Sequence, residues 1–297
     1  MDQLVAMRVF LAVADQGSFS GAARAMRLSA AAATRAVAQC ESDTGATLLN
    51  RTTRSVALTE KGAIFAERCR TILADVDQTF GQLKGDAARP GGRLSLTAPV
   101  MFGRLHILPI VEALAVEHPG LTIRMTFVDR VVHLVEEGFD LAVRIGPLAD
   151  SALIAVPIAR TRRIVVAAPS YLAERGVPDR PADLKHHRIV SFEGVGSTNE
   201  WRFGRDGRTG VTVSPQMSVN TAEAAIDSAV RGMGVTRVLS YQVAQHLGEG
   251  RLKRLLIEEE PADLPVHLVF PAHQRGLPNL SAFLSAARRY FSRQAWD

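Results

Sequence analysis

Apolar residues recur along the first ninety residues with the spacing of an α-helix. In the first helix they are Leu4, Met7, Leu11 and Ala14, which repeat every three or four positions and predict an amphipathic helix. From residue 93 the pattern changes to short apolar or alternating runs, typical of β-strands, separated by further helical segments. The segment "GDAARPGGRL" between the two regions is rich in residues that break helices. The pattern therefore predicts a helical region followed by an α/β domain.

Serine residues divide the helical region into short segments. Ser20 is predicted to cap a short helix, "GAARAMRL", and Ser29 a third helix that runs to about Thr44. Serine favours these positions because its hydroxyl accepts a hydrogen bond from a free N–H group in the first turn. A short helix, a tight connection and a second helix in this order predict a helix-turn-helix.

The third helix has two different faces. Ala33, Val37 and Cys40 lie at i, i+4 and i+7 and are predicted to pack against the first two helices. The opposite face carries Ala31, Thr34, Arg35 and Ala38. Short side chains would let this face approach a DNA major groove, about 12 Å wide, with Thr34 and Arg35 reaching the bases. The alternative is an alanine-rich surface helix, since alanine has the highest helix propensity.

The next segment, "LLNRTTRSVALTEKG", is predicted to form a small hairpin, or wing. Its second arm, "TRSVALT", alternates partly like a strand. Arg51 and Arg54 lie near the predicted tip, where arginine side chains reach phosphates or a minor groove. The alternative is a solvated, charged turn. Thr59 is predicted to cap the following helix, which continues to about Lys84.

This long helix carries apolar residues at near-heptad spacing. They are Phe65, Cys69, Ile72, Val76, Phe80 and Leu83. Such spacing favours helix-on-helix packing between subunits. The alternative is one amphipathic helix that packs on its own domain.

Residues 2–62 resemble the winged helix-turn-helix of LysR-type transcriptional regulators. The resemblance rests on "VFLAVADQGSFSGAARAMRLS" and "TRAVAQCESDTGATLLNRTTRSVALTEKG", whose motifs fall in order without gaps. It implies that the long helix is a linker helix that dimerises the DNA-binding arms. The candidate DNA-binding residues are Ser20, Ser29, Ala31, Thr34, Arg35, Arg51, Thr53 and Arg54.

The second region alternates predicted strands and helices, which favours an α/β fold with largely parallel sheets in two subdomains. The predicted strands are "RLSLTA", "LTIRMTFV", "FDLAVRIG", "RRIVVAA", residues 216–219, residues 234–239 and "LPVHLVF". The predicted helices are "MFGRLHILPIVEALAVEHPG", interrupted near Pro109, then "RVVHLVEEG", "PSYLAERG", "NTAEAAIDSAVRG" and "PNLSAFLSAARRYF".

Residues 93 to about 293 are similar to the LysR-type effector domain. The similarity is carried by "EEGFDLAVRIG", "GMGVTRVLSYQV" and "GRLKRLL". It implies a two-lobed fold like that of type 2 periplasmic binding proteins, with chain crossings near Thr161 and His267. The predicted domains are a winged helix-turn-helix over 1–59, a linker helix over 60–88 and an effector domain over 89–297, with a first lobe of about 93–161 and 268–297 and a second lobe of about 162–267.

A small-molecule site is predicted where strands end and helices begin. In open α/β sheets, ligands bind beyond the carboxyl ends of strands, where free N–H groups favour an anion. The candidate effector-binding residues are Ala98, Pro99, Val100, Phe102, Arg144, Thr161, Phe192, Trp201, Asn220 and Thr221. Alternatives remain open: the aromatic residues could be core residues, Arg144 could pair with an acid of the fold, and Asn220 could simply cap its helix.

Composition and charge exclude several classes of protein. Apolar residues make up 47% and charged residues 22% of the 297 residues, as in water-soluble globular proteins. The net charge of +5 and the pI of about 9.7 are compatible with a nucleic-acid partner. No apolar run is long enough for a membrane span, and the N-terminus lacks a secretory signal, so a cytoplasmic location is expected. The two cysteines are predicted to be reduced, packed thiols.

No motif predicts an enzyme. "GMGVTR" follows a predicted helix and precedes a strand, which is the reverse of the order in dinucleotide-binding loops. "GVGST" lacks the lysine of a P-loop, and no G-x-S-x-G motif is present. The histidines show no metal-ligand spacing. We therefore predict no enzymatic activity, no cofactor and no metal.

The predicted function is that of a sequence-specific DNA-binding transcriptional regulator of the LysR type, modulated by a small anionic effector bound between two lobes. The predicted partners are double-stranded operator DNA, the effector, further copies of the chain in a dimer or tetramer, and RNA polymerase. A solute-binding receptor would explain residues 93–293 but not the first ninety. An enzyme built on the same two lobes is the third alternative.

Overall fold

The structure, a computed structural model, describes residues 2–51, 56–83, 89–193 and 198–293. The chain divides into two compact units, Met1–Arg93 and Leu94–Asp297. The α/β fold class predicted from the sequence is confirmed, with a helical N-terminal unit and an α/β second unit.

The N-terminal unit is a helix-turn-helix with a hairpin. Its helices are α1 (Gln3–Gln16), α2 (Phe19–Ala25), α3 (Ala30–Thr44) and α4 (Glu60–Leu83). Its strands, β1 (Leu49–Arg51) and β2 (Val56–Leu58), pair in antiparallel orientation. The order of these elements confirms the predicted helix-turn-helix and wing.

One predicted cap is wrong. Ser18, not Ser20, caps α2: its Oγ accepts a hydrogen bond from the backbone N–H of Gly21 at 3.2 Å. Because α2 begins at Phe19, Ser20 lies within the first turn, where its exposed hydroxyl contacts that of Ser18 at 3.0 Å. Ser29 caps α3 as predicted and accepts from the N–H of Ala32 at 3.1 Å.

The core of this unit forms where α3 packs against α1 and α2. Ala33, Val37 and Cys40 are all buried, which confirms the inner stripe predicted for α3. They pack with Phe10 and other residues of α1 in one hydrophobic cluster. Alanines on the inner face of α3 therefore let α1 and α2 approach it closely. Alanines on the outer face leave that surface with short side chains.

Both cysteines are buried free thiols within the described chain. Burial raises the pKa of Cys40 and that of Cys69 to about 11; Asp43 adds to the effect at Cys40, whereas Arg70 opposes it at Cys69. A thiol is nucleophilic only as its thiolate. The side chains therefore act as small apolar groups in the core.

We expect neither thiol of the folded protein to react readily with Ellman's reagent at pH 8. A pKa of about 11 leaves very little thiolate at that pH, so the rate should be at least about 100-fold below that of an ordinary cysteine. Reactivity should rise as the pH approaches 11. Protein unfolded in guanidinium chloride is the control, and both of its thiols should react rapidly with the reagent. A fast-reacting thiol in the native protein at pH 8 would contradict the burial of these residues.

The second unit contains twelve strands and six α-helices among the described residues. The strands are β3 (Gly92–Ala98), β4 (Leu121–Phe127), β5 (Leu141–Ile145), β6 (Leu153–Thr161), β7 (Arg163–Ala167), β8 (Ile189–Phe192), β9 (Glu200–Phe203), β10 (Thr209–Thr212), β11 (Pro215–Val219), β12 (Thr236–Leu239), β13 (Lys253–Leu255) and β14 (Leu264–Pro271). The helices are α5 (Val100–Phe102), α6 (Leu108–Glu117), α7 (Pro169–Arg175), α8 (Ala222–Val230), α9 (Ser240–Gly248) and α10 (Pro278–Phe291).

A five-stranded sheet in the order β4-β3-β5-β14-β6 forms what we call the first lobe. β3 and β5 are parallel, but β14 is antiparallel to both β5 and β6. The sheet is therefore mixed, and the prediction of largely parallel sheets is wrong here. β14 begins at Leu264, which pairs with Thr161, so His267 lies within the strand, three residues after its start.

Strands β7 to β13 form what we call the second lobe. β7 is the centre of a three-stranded antiparallel sheet, β12-β7-β13. β8 pairs in parallel with β11, and a parallel bridge between Ile189 and Val235 places β8 beside the start of β12. β9 and β10 form an antiparallel hairpin.

Two predicted helices differ from the structure. The segment "RVVHLVEEG" forms turns at residues 134–138, because Gly138, with φ of 71°, ends a single helical turn. The long helix predicted to be interrupted near Pro109 is interrupted by a π-helical turn, Gly103–Ile107, just before α6. Proline cannot donate a hydrogen bond and crowds the preceding turn, so the helical pattern changes immediately before it.

Candidate functional sites

The outer face of α3 is exposed and carries positive charge. The residues of this face are Ala31, Thr34, Arg35 and Ala38, all exposed. The hydroxyl of Thr34 donates to the carbonyl oxygen of Ala30 at 3.0 Å, so its proton is engaged within the helix. Its methyl group and its remaining lone pair are available to a partner, whereas Arg35 has all its donors free within the described chain.

Two more exposed arginines lie in the same helix-turn-helix. Arg24 is in the last turn of α2, and Arg27 follows it with a left-handed φ of 55° in the connection to α3. Within the described residues, neither of them nor Arg35 pairs with an acid. No role was predicted for Arg24 and Arg27 from the sequence, although their charge and their position next to the predicted connection were visible.

The hairpin is held against α3 by specific hydrogen bonds. The carboxylate of Glu41 accepts from the N–H groups of Leu48 at 2.9 Å and Leu49 at 3.3 Å. Thr59 donates its hydroxyl to the carbonyl of Thr47 at 2.8 Å and its N–H to that of Leu48 at 3.0 Å. Thr59 also caps α4, as predicted, by accepting from Gly62 N–H at 2.9 Å.

The side chains of the wing that were predicted to contact DNA are not among those that the structure describes. Arg51 is the last residue of β1, but its side chain is not among those described. Thr53 and Arg54 lie outside the described residues.

The six residues predicted for subunit contact do not share one free face of α4. Phe65 packs on Phe10 of the same chain, with ring centroids 5.2 Å apart, and Cys69 is fully buried within the chain. The assignment of Cys69 to a subunit contact is therefore wrong, because no partner can reach a side chain that its own fold covers. Ile72 is exposed and Val76 half-buried. The side chains of Phe80 and Leu83 are not described.

The exposed apolar stripe of α4 lies elsewhere on the helix. Ile64 is 62% exposed and Ile72 is 41% exposed. They are eight residues apart and therefore lie on one face, with Arg68 between them. The heptad pattern read from the sequence includes Ile72 but not Ile64.

A cavity of about 880 Å³ lies between the two lobes of the second unit. Ala98, Pro99, Arg144, Phe192 and Trp201 line it, among the residues predicted for effector binding. Further lining comes from β5, β6 and β14 of the first lobe and from β7 and β12 of the second. Most of these side chains are apolar, as in ordinary small-molecule sites.

The other predicted effector residues are engaged elsewhere. Phe102 is fully buried and packs on Tyr241, with ring centroids 5.2 Å apart. Thr161 is buried, and its hydroxyl contacts that of Ser240 at 3.1 Å. Thr221, and not Asn220, caps α8, and its Oγ1 accepts from the N–H of Ala224 at 3.3 Å. Asn220 and Thr221 do not line the cavity.

The predicted anion site at the start of α5 is already occupied. The N–H of Val100 donates to Oδ1 of Asp129 at 3.1 Å, so a carboxylate of the protein itself stands where an anionic effector was predicted. Val100 does not line the cavity, whereas Asp129 does. The sequence could not show this contact because Asp129 follows a different strand, β4, and reaches Val100 only through the fold.

Arg144, which lines the cavity, also contacts the backbone of its own lobe. One of its terminal nitrogens donates to the carbonyl of Val132. Burial lowers the pKa of Arg144, and the nearby Glu137 acts in the opposite direction. Part of its hydrogen-bonding capacity is therefore used by the backbone. Cavity-lining residues that were not predicted from the sequence include Arg163, Arg237 and Tyr241.

Neither a cluster of metal-ligating side chains nor a helix that could span a membrane is found in the part of the chain that the structure describes. No group of three or more histidine, cysteine, aspartate or glutamate residues there is arranged to hold a metal ion. No helix there is both long enough and apolar enough to cross a membrane.

Comparison with known proteins identifies both units. The family described as "LysR substrate binding domain" matches residues 87–292, and the "Bacterial regulatory helix-turn-helix protein, lysR family" matches residues 4–63. An HTH-type transcriptional regulator of Haemophilus influenzae is 32% identical over 94% of this chain and 96% of its own length. An HTH-type transcriptional repressor of Pseudomonas aeruginosa is 30% identical over 98% and 93%.

Solved structures agree with these sequence matches. CrgA, a LysR-type transcriptional regulator from Neisseria meningitidis, has 27% sequence identity and a TM-score of 0.64, and the match covers 99% of both chains. Its fold extends over both units of the present chain. The protein therefore belongs to the LysR family of DNA-binding transcriptional regulators, whose members respond to small-molecule effectors and are not enzymes.

Proposed function

We propose that the outer face of α3 enters the major groove of operator DNA. The observation that carries this proposal is the exposed face of short side chains, from which Arg35 projects without an acid partner in the described chain. Arg35 would donate to guanine, the base that arginine reads best in the major groove. Since the Thr34 proton is engaged with Ala30, Thr34 would present its methyl group to thymine or accept from a base amine.

The remaining candidates would hold the DNA backbone. Ser20, Ser29 and Ala31 lie at or near the N-terminal ends of α2 and α3, where free N–H groups and hydroxyls suit phosphate. Arg51, Thr53 and Arg54 would act from the wing. Arg24 and Arg27, exposed beside α3, join this set because arginine at such positions adds to salt-dependent phosphate binding.

The predicted domain boundaries, 1–59, 60–88 and 89–297, remain a proposal, as does the division of the effector domain into lobes. We propose that the protein acts in the cytoplasm and carries no enzymatic activity. Its regulatory partners would include RNA polymerase as well as operator DNA. An effector that closes the cavity would change operator binding only if it binds the two arrangements of the lobes with different affinity.

Binding to DNA upstream of the neighbouring gene tests the proposed function. Fluorescence anisotropy of the full-length protein on that DNA, with scrambled DNA as competitor, should show specific binding. The affinity should fall steeply with salt, because each neutralised phosphate releases a counterion. Specific binding to no fragment selected from the whole genome would overturn the proposal.

We expect the α4 stripe to contact a second copy of the chain. Replacement of Ile72 with aspartate, or of Ile64 with aspartate, should increase the monomer fraction at micromolar concentration, measured by sedimentation velocity. A buried charge in a helix pair is strongly unfavourable, whereas both positions are exposed within one chain. Val116→Asp is a matched control, since Val116 is 83% exposed on α6. Unchanged assembly in both isoleucine variants would show that subunits meet elsewhere.

A further inference from the structure

Two arginines meet on the cavity wall of the second lobe. Arg163 lies on β7 and Arg237 on β12, and both line the cavity. The strands pair in antiparallel register, with Arg237 opposite Val165 and Arg163 opposite Leu239. The arginines are therefore diagonal neighbours on the same face of the sheet, a spacing of about 7–8 Å between backbones that long side chains easily bridge.

Neither arginine has an acid partner among the described residues. Burial lowers the pKa of Arg237 to about 10, and the charge of Arg163 acts in the same direction. Burial also lowers the pKa of Arg163. Water still reaches Arg163, which is an exposed residue. The two cations thus repel each other in a place where the protein supplies no compensating carboxylate from its described residues.

The other charged groups of the cavity do not fill this role. Asp129 is bonded to the N–H of Val100, and Arg130 forms an ion pair with Glu137 at 2.5 Å. Arg144 donates to a backbone carbonyl. Asp150, on the exposed rim, has no described contact with either arginine of the pair. Among the described residues, Arg163 and Arg237 are thus two neighbouring cavity arginines for which the fold supplies neither a carboxylate nor a backbone carbonyl.

A buried aromatic side chain, Trp201, holds one arginine of the pair. The guanidinium carbon of Arg237 lies 4.9 Å from the ring centroid of Trp201, which fixes the arginine by a cation–π contact. Phe192 and Trp201 line the cavity beside the arginines, and Val238 and Leu264 extend the apolar wall. A ligand bound here would meet donors at one end and apolar side chains along its body.

We propose that the cavity binds a small organic carboxylate with an apolar body, whose charged end is held by Arg163 and Arg237 and not by the N-terminal end of α5. This assignment rests on the proposed effector role of the cavity. The carboxylate would accept from both guanidinium groups and relieve their mutual repulsion, while the apolar part would pack against Phe192 and the other apolar side chains of the wall.

Thermal unfolding of the full-length protein without DNA tests the assignment. The probes are sodium benzoate, sodium acetate and uncharged benzamide, with ionic strength held constant by chloride. Benzoate should raise the unfolding temperature saturably, by about 4 °C at ten times its Kd. Acetate should act more weakly and benzamide not at all. The benzoate shift should disappear in Arg163→Gln and in Arg237→Gln.

Arg202→Gln is the matched control. Arg202 adjoins Trp201 on β9, is exposed, pairs with Glu200 at 3.1 Å and does not line the cavity, so the variant should keep the benzoate shift. Without ligand, Arg163→Gln should unfold at the same or a higher temperature than the wild type, because it removes a repulsion. A purely structural arginine would instead lower that temperature.

Three outcomes would overturn the assignment. They are no saturable benzoate shift in the wild type, an equal shift in the two arginine variants, and an equal shift with benzamide. None of these concerns DNA, so they are distinguishable from failure of the proposed function. If benzoate binds through the pair but leaves operator affinity unchanged, the site stands and the effector role of the cavity is wrong.

Discussion

Replacement of Arg35 with alanine is expected to weaken binding of the full-length protein to its operator by about 10- to 100-fold. A bidentate arginine–guanine contact contributes about 1–3 kcal/mol of discrimination in the major groove. Arg35 is exposed and unpaired in the described chain, so the free energy of unfolding should not change. Anisotropy titrations on the operator and thermal unfolding measure the two effects separately.

Arg208→Ala controls for the loss of one positive charge. Arg208 and Asp206 both lie in the second unit, where they form an ion pair at 3.3 Å, and the Arg208 side chain is 88% exposed. The variant should therefore bind the operator as the wild type does. Substitution of the guanine that Arg35 reads should weaken wild-type binding and leave the Arg35→Ala variant little affected. Equal operator affinity of wild type and Arg35→Ala, in a folded protein, would remove Arg35 from the base-contacting set.

The helical unit was predictable because its information is local. The inner stripe of α3, the cap at Ser29 and the hairpin all follow from residues within a few positions of each other. The error over the cap of α2 is also a local one. Ser18 and Ser20 flank Phe19, and only the backbone conformation at the start of the helix decides which serine caps it. Heptad spacing on α4 wrongly assigned Cys69 to a subunit contact. The spacing of apolar residues does not show which face of the helix packs against the rest of the same chain, and Cys69 is buried there.

Strand pairing in the second unit could not be predicted in this way. β14 is a clear apolar run, but its antiparallel insertion between β5 and β6 depends on where the chain returns from the second lobe. β6 was missed because Pro157 interrupts its apolar pattern. A proline is tolerated there because β6 is an edge strand of the sheet.

The charge of the cavity depends on contacts between distant segments. The prediction of an anion at the start of α5 was sound for an isolated helix, but Asp129 supplies that charge from the end of β4. Arg163 was visible as part of "RRIVVAA", and Arg237 as part of "GMGVTR", yet nothing in either segment shows that β7 and β12 pair. Register between strands brings the two cations together, and register is a property of the whole fold.

Replacement of Gly62 with alanine is expected to destabilise the N-terminal unit by about 3 kcal/mol and to abolish operator binding. A Cβ atom at Gly62 would lie 1.9 Å from the carbonyl oxygen of Leu48, so the backbone between α3 and the hairpin must move. That carbonyl also accepts from the N–H of Thr59, and the N–H of Leu48 donates to Glu41. The substitution would therefore displace the hairpin from α3.

The sign of the stability change in Gly62→Ala distinguishes the steric contact with Leu48 from an effect of helix propensity. Alanine is about 1 kcal/mol more favourable than glycine within a helix, so without the contact the variant would be more stable than the wild type. Gly248→Ala is the matched control: Gly248 ends α9, and a Cβ atom there would meet no other group within 4 Å. It should leave stability unchanged or raised and operator binding intact. Denaturant unfolding followed by circular dichroism, with anisotropy on the operator, measures both quantities. A Gly62→Ala variant as stable as the wild type would show that the hairpin is not seated on α4 through the Leu48 carbonyl.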